Sequence, residues 1–482
     1  MTRPAAPNDP LRASVGELLA ALDARQLSCV ELVDAVYERI AHTQPTLNAF
    51  TNLRDRERAL ADARASDARR ARGEARALEG LPLGVKDLED AEGLPTTLGS
   101  RAFADAVAER DSTQVARLRA AGAIVVGKTN TPELGHTAVT KNPLFGATRN
   151  PWNLERTPGG SSGGASAAIA GGVVPIATAS DGGGSVRIPA SCTGCFGLKP
   201  TFGRIAQGPG ELWNIDHTSV QGPLTRTVED AARQLDATCG PDASDPFSLP
   251  APERPFAASL DELRRAGRRL RFGFSPDLGY AVVQSDVADA VEEAALVFER
   301  LGHAIVPIAG GPPEPGREWS LLGAFEQRTK LAPWLPERRE AFGRAYLEGV
   351  ERGAERMTIE RWHAYRVRRR EIHDWCAALF EQVDLLLTPT IPYDPPPARG
   401  PLAAEVEGRA QPPANIGSFT MPFNLSLGPA ASVRAGLSRA GLPVGMQIAG
   451  PRLADALVLQ AAFAFERERP WHPHWPVERS DD

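Results

Sequence analysis

The feature that most restricts how this chain can fold is an apolar run that ends on three glycines. Residues 173–180 read VVPIATAS and pass directly into Asp181-Gly182-Gly183-Gly184-Ser185. A short apolar run of this kind reads as a buried strand, and ordered glycine is costly because it loses the most backbone freedom on folding. A second cluster, TPGGSSGGAS, fills 157–166. Ser162–Ala170 has the small residues of a tightly packed helix, and another helix is expected to begin over Gly184–Ser191. Helix, strand, glycine turn and helix thus succeed one another closely, which favours α/β architecture.

The same alternation extends along the chain. Leu18, Leu19 and Leu22, then Leu32, Val33, Val36 and Ile40, give helical spacing over Ser14–Ala24 and Ser28–Thr43. Strands are expected at Asn48–Leu53, Leu81–Lys86 and Ala123–Val126, with helices at Arg54–Glu74, Ser112–Ala121 and Thr227–Cys239. A Pro/Ser/Asp-rich loop covers 241–255. Beyond it come strands at Leu270–Phe274 and His303–Ile308 around a helix at Asp286–Leu301. Residues 319–381 read as mostly helical, and Asp384–Leu387, Val444–Ile448 and Leu453–Glu466 close the pattern as strand, strand and helix. The expected fold is a large mixed, mostly parallel twisted sheet flanked by helices, with a mostly helical insertion. The chain divides into four segments of one large domain: a helical 1–80, a core over 81–240, a variable 241–383 and a C-terminal part of the core over 384–482.

Composition excludes several functions. A net charge of −6 argues against nucleic acid, whose readers carry a basic footprint. The basic run at Arg366, Arg368, Arg369 and Arg370 sits at helical spacing among Glu and Trp, as a solvated helix face does. No stretch approaches the roughly 18 apolar residues of a membrane span. The first 14 residues hold no apolar run, so no secretory signal is expected and the cytoplasm is the expected compartment. Five cysteines make no disulfide framework, and Cys192 and Cys195 lack the second pair or nearby histidine of a zinc site.

Two motifs mislead. Gly122–Thr129 matches the phosphate-loop spacing G-x-x-x-x-G-K-[ST], but its intervening residues are Ala-Ile-Val-Val, which form a strand rather than a loop around phosphate. Gly160–Gly164 matches G-x-S-x-G, yet a nucleophile elbow needs a strand running into the serine, and a proline-containing LERTPG precedes it. His136 and His217 stand near glycine-rich segments in contexts typical of packed or solvated histidines.

What remains is the turn itself. Successive glycine amides at a strand end, closed by a helix N-terminus, make a cup for an anion. Ser185 at its rim can attack a carbonyl whose oxygen settles in that cup. A serine needs a base, and with no suitable histidine the candidate is Lys86, which ends an apolar strand; burial disfavours its charged form. Ser161 and Ser162 supply hydroxyls able to bridge lysine and nucleophile.

GVKDL (84–88), GKTNTPE (127–133), GATRNPWN (146–153), GGSSGG (159–164), SDGGGSVRIPAS (180–191), GLKPTFGR (197–204), GPLTRTVED (222–230), FTMPFNLS (419–426) and GLPVGMQIAG (441–450) together resemble the amidase signature family. The matches bracket nearly the whole chain and leave only 241–383 weakly matched. The resemblance implies the amidase signature fold and a Ser–cis-Ser–Lys catalytic set of Ser185, Ser161 and Lys86, with Ser161 following a cis peptide. It implies an oxyanion hole from the amides of Gly182, Gly183, Gly184 and Ser185, with Ser162, Asp181 and Arg187 in support. Ala165, Gly182, the Cys192/Cys195 arrangement and Arg434 depart from the family's common residues; none removes a catalytic atom.

The expected activity is hydrolysis of a carboxylic amide, with carbamates, urethanes and esters as further candidates, without metal or organic cofactor. The likeness is to bacterial amidases of the nylon-oligomer, aryl-acylamidase and urethanase kind. The alternative is the glutamine-amidase subunit of a tRNA-dependent amidotransferase, and a remote one is a P-loop nucleotide-binding protein. Trp319, Phe325, Trp334, Phe342, Tyr346 and Trp362 offer an apolar pocket or core. The N-terminal helices are available for a homodimer.

Overall fold

A computed structural model describes residues 9–208, 216–314, 317–412, 415–471 and 475–476; residues 1–8 of the segment where no secretory signal is expected lie outside them. Eleven strands among the described residues join one sheet. They are β1 Phe50–Leu53, β2 Pro82–Lys86, β3 Ile124–Thr129, β4 Ile176–Asp181, β5 Phe196–Lys199, β6 Val220–Thr225, β7 Arg271–Phe274, β8 Ala304–Pro307, β9 Leu385–Pro389, β10 Ala430–Leu437 and β11 Pro443–Ala449. Their spatial order is β1-β3-β2-β4-β6-β5-β10-β11-β9-β7-β8.

The sheet is mixed and flanked by helices, as expected, but its parallel share is smaller than the strand–helix alternation predicts. Two parallel blocks, β3-β2-β4 and β9-β7-β8, flank a run of antiparallel neighbours from β4 through β6, β5, β10 and β11 to β9. The antiparallel run contains the three strands that periodicity does not reveal: β5, β6 and β10. FGLK is only four residues, VQGPLT carries glycine and proline, and AASVRAGL holds small residues with an arginine. Pro223 sits opposite Thr178 within the sheet, where proline is rare because it cannot donate to a ladder.

Local chemistry explains the helices near the N-terminus. Ser14 and Ser28 each accept from the amide three residues on, while Glu17 and Glu31 reach back to the serine amides. Each is a reciprocal capping box. Helix Gly163–Ala170 is buried along its whole length and packs on β4, β2 and β6. No helix among the described residues is long and apolar enough to cross a membrane.

The variable segment contributes β7 and β8 to the sheet and then helices Arg317–Leu331, Arg344–Glu355 and Ile359–Gln382. A small separate core fastens it to the loop around Leu98 and Phe103, through Trp334, Phe342 and Tyr346. Buried Glu133 adds a polar tie, accepting the Gly343 amide at 2.9 Å at the start of the second helix. The insertion therefore stands against the ends of β2 and β3.

Candidate active site

Strand β2 delivers Lys86 into the interior. Its amide donates to Thr178 Oγ1 of β4 at 2.9 Å, and the residue is fully buried. Lys86 Nζ lies 2.8 Å from Ser161 Oγ and 2.9 Å from Ser180 Oγ, with the Ser180 carbonyl at 3.3 Å. Burial lowers the ammonium to about 7, against the opposing charges of Glu89 and Asp181. The Gly160–Ser161 peptide is cis.

The first glycine cluster lets backbone approach backbone. A Cβ on Gly160 would stand 2.6 Å from the Thr137 carbonyl oxygen, and one on Gly164 only 2.2 Å from the Asn130 nitrogen. Ser162 heads helix Gly163–Ala170. Its amide donates to the Ser185 carbonyl at 3.3 Å, and its hydroxyl reaches the Ser180 carbonyl at 3.4 Å. These two bonds tie the serine pair to the triple-glycine turn.

Within that turn Asp181 gathers the backbone downstream of it. Its carboxylate accepts the amides of Gly184 (2.7 Å), Val186 (3.2 Å) and Arg187 (3.4 Å). For this reason the helix expected from Gly184 starts only at Arg187. Arg187 Nε and Nη2 grip the same carboxylate at 2.9 Å each, a bidentate buried pair. Burial pushes the Asp181 carboxyl up, but the Arg187 charge and bonds from Arg187 and Asn424 outweigh it and hold the group well below the usual range.

The Gly184 amide is therefore not available to an oxyanion, contrary to the expectation that all four amides face the cup. Among the described residues the amides of Gly182, Gly183 and Ser185 have no acceptor. Gly184 is needed for another reason. Its φ is +130°, and a Cβ would lie 2.3 Å from Thr420 Oγ1.

Residues that spacing alone did not expose complete the frame. Ser180 and Thr178 hold Lys86. Asn424 Nδ2 donates to both the carbonyl and the carboxylate of Asp181 at 2.9 Å, and Arg187 Nη1 donates to Gln447 Oε1 at 2.7 Å. Thr420 Oγ1 donates to the Gly183 carbonyl at 2.7 Å. Asn424, Thr420 and Gln447 lie within FTMPFNLS and GLPVGMQIAG, so the recurrence of those stretches was their only signal.

Ser161, Ser185, Gly182 and Gly183 open on one cavity of about 820 Å³. Trp319 and Trp334 from the insertion line it too, whereas Phe342 and Tyr346 are core and Phe325 and Trp362 are exposed. His136 borders the cavity and packs edge-on against Tyr346, with ring centroids 5.3 Å apart. Strand β3 takes up the apolar run of the phosphate-loop look-alike, and Lys128 within it is buried beside Asp87 at 3.5 Å. Cys192 and Cys195 are free buried thiols, both pushed up by burial.

A buried amine against a hydroxyl, beside a turn with amides open to a cavity, is equipped for acyl chemistry. Residues 31–459 match the family model described as Amidase. An acylamidase of Rhodococcus erythropolis is 37% identical over 96% of this chain and 97% of its own. The A subunit of a glutamyl-tRNA(Gln) amidotransferase from Geotalea daltonii is 34% identical over 95% of this chain and 98% of its own. The crystal structure of a bacterial aryl acylamidase of the amidase signature family superposes with a TM-score of 0.90 at 33% identity, covering 97% of this chain and 99% of that one. The chain belongs to the amidase signature family, as a hydrolase of carbon–nitrogen bonds other than peptide bonds.

Proposed function

We propose that the protein hydrolyses acyl amides through an acyl-enzyme on Ser185. Neutral Lys86 takes a proton from Ser161 as Ser161 takes one from Ser185, and the freed oxygen attacks the carbonyl carbon. Charge develops on the carbonyl oxygen, which the amides of Gly182, Gly183 and Ser185 receive. Ser161 then passes its proton to the departing nitrogen, the C–N bond breaks, and water repeats the sequence on the ester. Ser162, Asp181 and Arg187 hold the two turns in register.

The observation that carries this reading is the 2.8 Å contact between Lys86 Nζ and Ser161 Oγ at the floor of the cavity. The indole of Trp319 near the glycine turn favours amides with an apolar or aryl portion; carbamates and esters share the carbonyl geometry and rank behind them. A panel of chromogenic anilides, esters and carbamates, with L-glutamine alongside, tests it in wild type and Ser185→Ala. Anilide turnover by wild type and none by the variant is expected. An active Ser185→Ala variant would refute the mechanism, and turnover of glutamine alone would favour the amidotransferase reading. The rate should also rise with pH through neutrality, because Lys86 works only after losing its proton; a rate flat from about pH 5 to 9 excludes it as the base.

A further inference from the structure

This inference rests on the reading of Lys86 as proton acceptor. Most buried charges near the site are paired. Asp87 faces Lys128 at 3.5 Å, Asp181 faces Arg187 at 2.9 Å, and Asp455 faces Arg204 at 3.2 Å. Lys199 and Glu133 are buried without an ion pair among the described residues, Lys199 donating to the Pro200 carbonyl at 2.9 Å and Glu133 accepting from Ser100 Oγ and the Gly343 amide. Lys86 and Glu89 share this condition and lie within one turn of each other. Both are buried, and neither makes an ion pair within 4.0 Å among the described residues.

The two belong to one turn. The Glu89 amide donates to the Lys86 carbonyl at 2.9 Å, just beyond β2. Glu89 Oε2 accepts from Gln114 Nε2 at 2.9 Å, while Oε1 has no hydrogen-bond partner among the described residues. Thr178, whose hydroxyl oxygen takes the Lys86 amide, stands beside the Glu89 carboxylate. The charges facing Lys86 are those of Glu89 and Asp181, and those facing Glu89 are Lys86 and Lys128. Hydroxyls of Ser161, Ser180 and Thr178 and the amide of Gln114 fill the remaining polar positions.

A half-satisfied buried carboxylate and a buried ammonium are each costly alone, and they relieve one another only if their protonation is linked. We propose that Glu89 is a positioning residue that sets when Lys86 gives up its proton. Ionised Glu89 keeps the ammonium charged; neutral Glu89 releases it. In the attack step Lys86 gains a charge inside the protein, and the Glu89 carboxylate stabilises that charge where a lone lysine would have only Asp181. Burial pushes Lys86 down and Glu89 up, and for each the foremost opposing charge is the other.

The test is kcat/KM for a chromogenic anilide across about pH 5 to 10 in wild type, Glu89→Gln and Glu89→Asp. Without the carboxylate, the acid limb should move down by on the order of one unit. At one unit below the wild-type midpoint, the variant then retains about half its plateau instead of about one-tenth. Glu89→Asp should return the limb toward the wild-type position. A merely structural role would lower rates at every pH without moving the limb, so coincident limbs overturn the proposal. Should Glu89→Gln not fold, Gln114→Met removes the donor that favours the ionised carboxylate and should move the limb the same way by less; an unmoved limb there also overturns it. A wild-type profile with no acid limb would dismiss Lys86 as the base, and this inference with it.

Discussion

The two glycine clusters look alike in sequence and do different work. At 159–164 Gly159, Gly160 and Gly164 admit other parts of the backbone and Gly163 the Thr140 side chain, and the result is a small-residue helix pressed into the core with Ser161 at its entrance. At 182–184 the approaching atoms are mostly side chains: Ser219 at Gly182, Trp319 and Met421 at Gly183, Thr420 at Gly184. One cluster removes bulk so that the fold can close. The other removes bulk so that amides stay open to a cavity.

Substitutions can break that contrast. The largest effect should come from Lys86→Met, which keeps the apolar stem and removes the amine. Roughly a ten-thousand-fold loss in kcat with the fold retained is expected, read by steady-state kinetics and thermal melting. Gly164→Ala should act through stability, because the new Cβ would lie 2.2 Å from a backbone nitrogen that cannot swing aside. A loss of about 3 kcal/mol or more, measured by denaturant unfolding, is expected. Gly183→Ala meets side-chain atoms at 3.2 Å and beyond, so stability should fall by only about 1 kcal/mol while kcat/KM drops roughly tenfold. Equal destabilisation by the two alanines would abolish the distinction.

Asn424→Ala sharpens the second half of the comparison. It takes two donor contacts from Asp181, and a loss of about 1–3 kcal/mol of transition-state stabilisation, read in kcat/KM, is expected from a loosened turn. Ser162→Ala removes one long bond to the Ser180 carbonyl and should cost only a few-fold in kcat.

The contrast was partly legible beforehand. AIVV and VPIATAS are continuous apolar runs, so the strands they form stand out against their surroundings. Asp181 and Arg187 lie six residues apart across one turn, close enough for a local reading to join them. FGLK and VQGPLT form strands only because neighbours on both sides pair with them, a tertiary effect that no window of sequence contains. Asn424 meets Asp181 across 243 residues, beyond any spacing rule. That Asp181 would take the Gly184 amide, leaving three for an oxyanion, depended on dihedral angles the residue types permit but do not dictate. Arg434, an apparent oddity in an apolar strand, lies between the rings of Trp152 and Trp475 at 5.3 Å from each, an arrangement that suits its guanidinium.

The reach of Arg187 and Asp181 toward Thr420, Asn424 and Gln447 has a consequence for biosynthesis. By the time the ribosome has passed residue 185, Lys86, Ser161 and Ser185 have been made, yet the clamp that fixes the triple-glycine turn is still more than two hundred codons away. On the proposed mechanism, a nascent chain would gain hydrolytic competence only once its last strands have been inserted into the sheet.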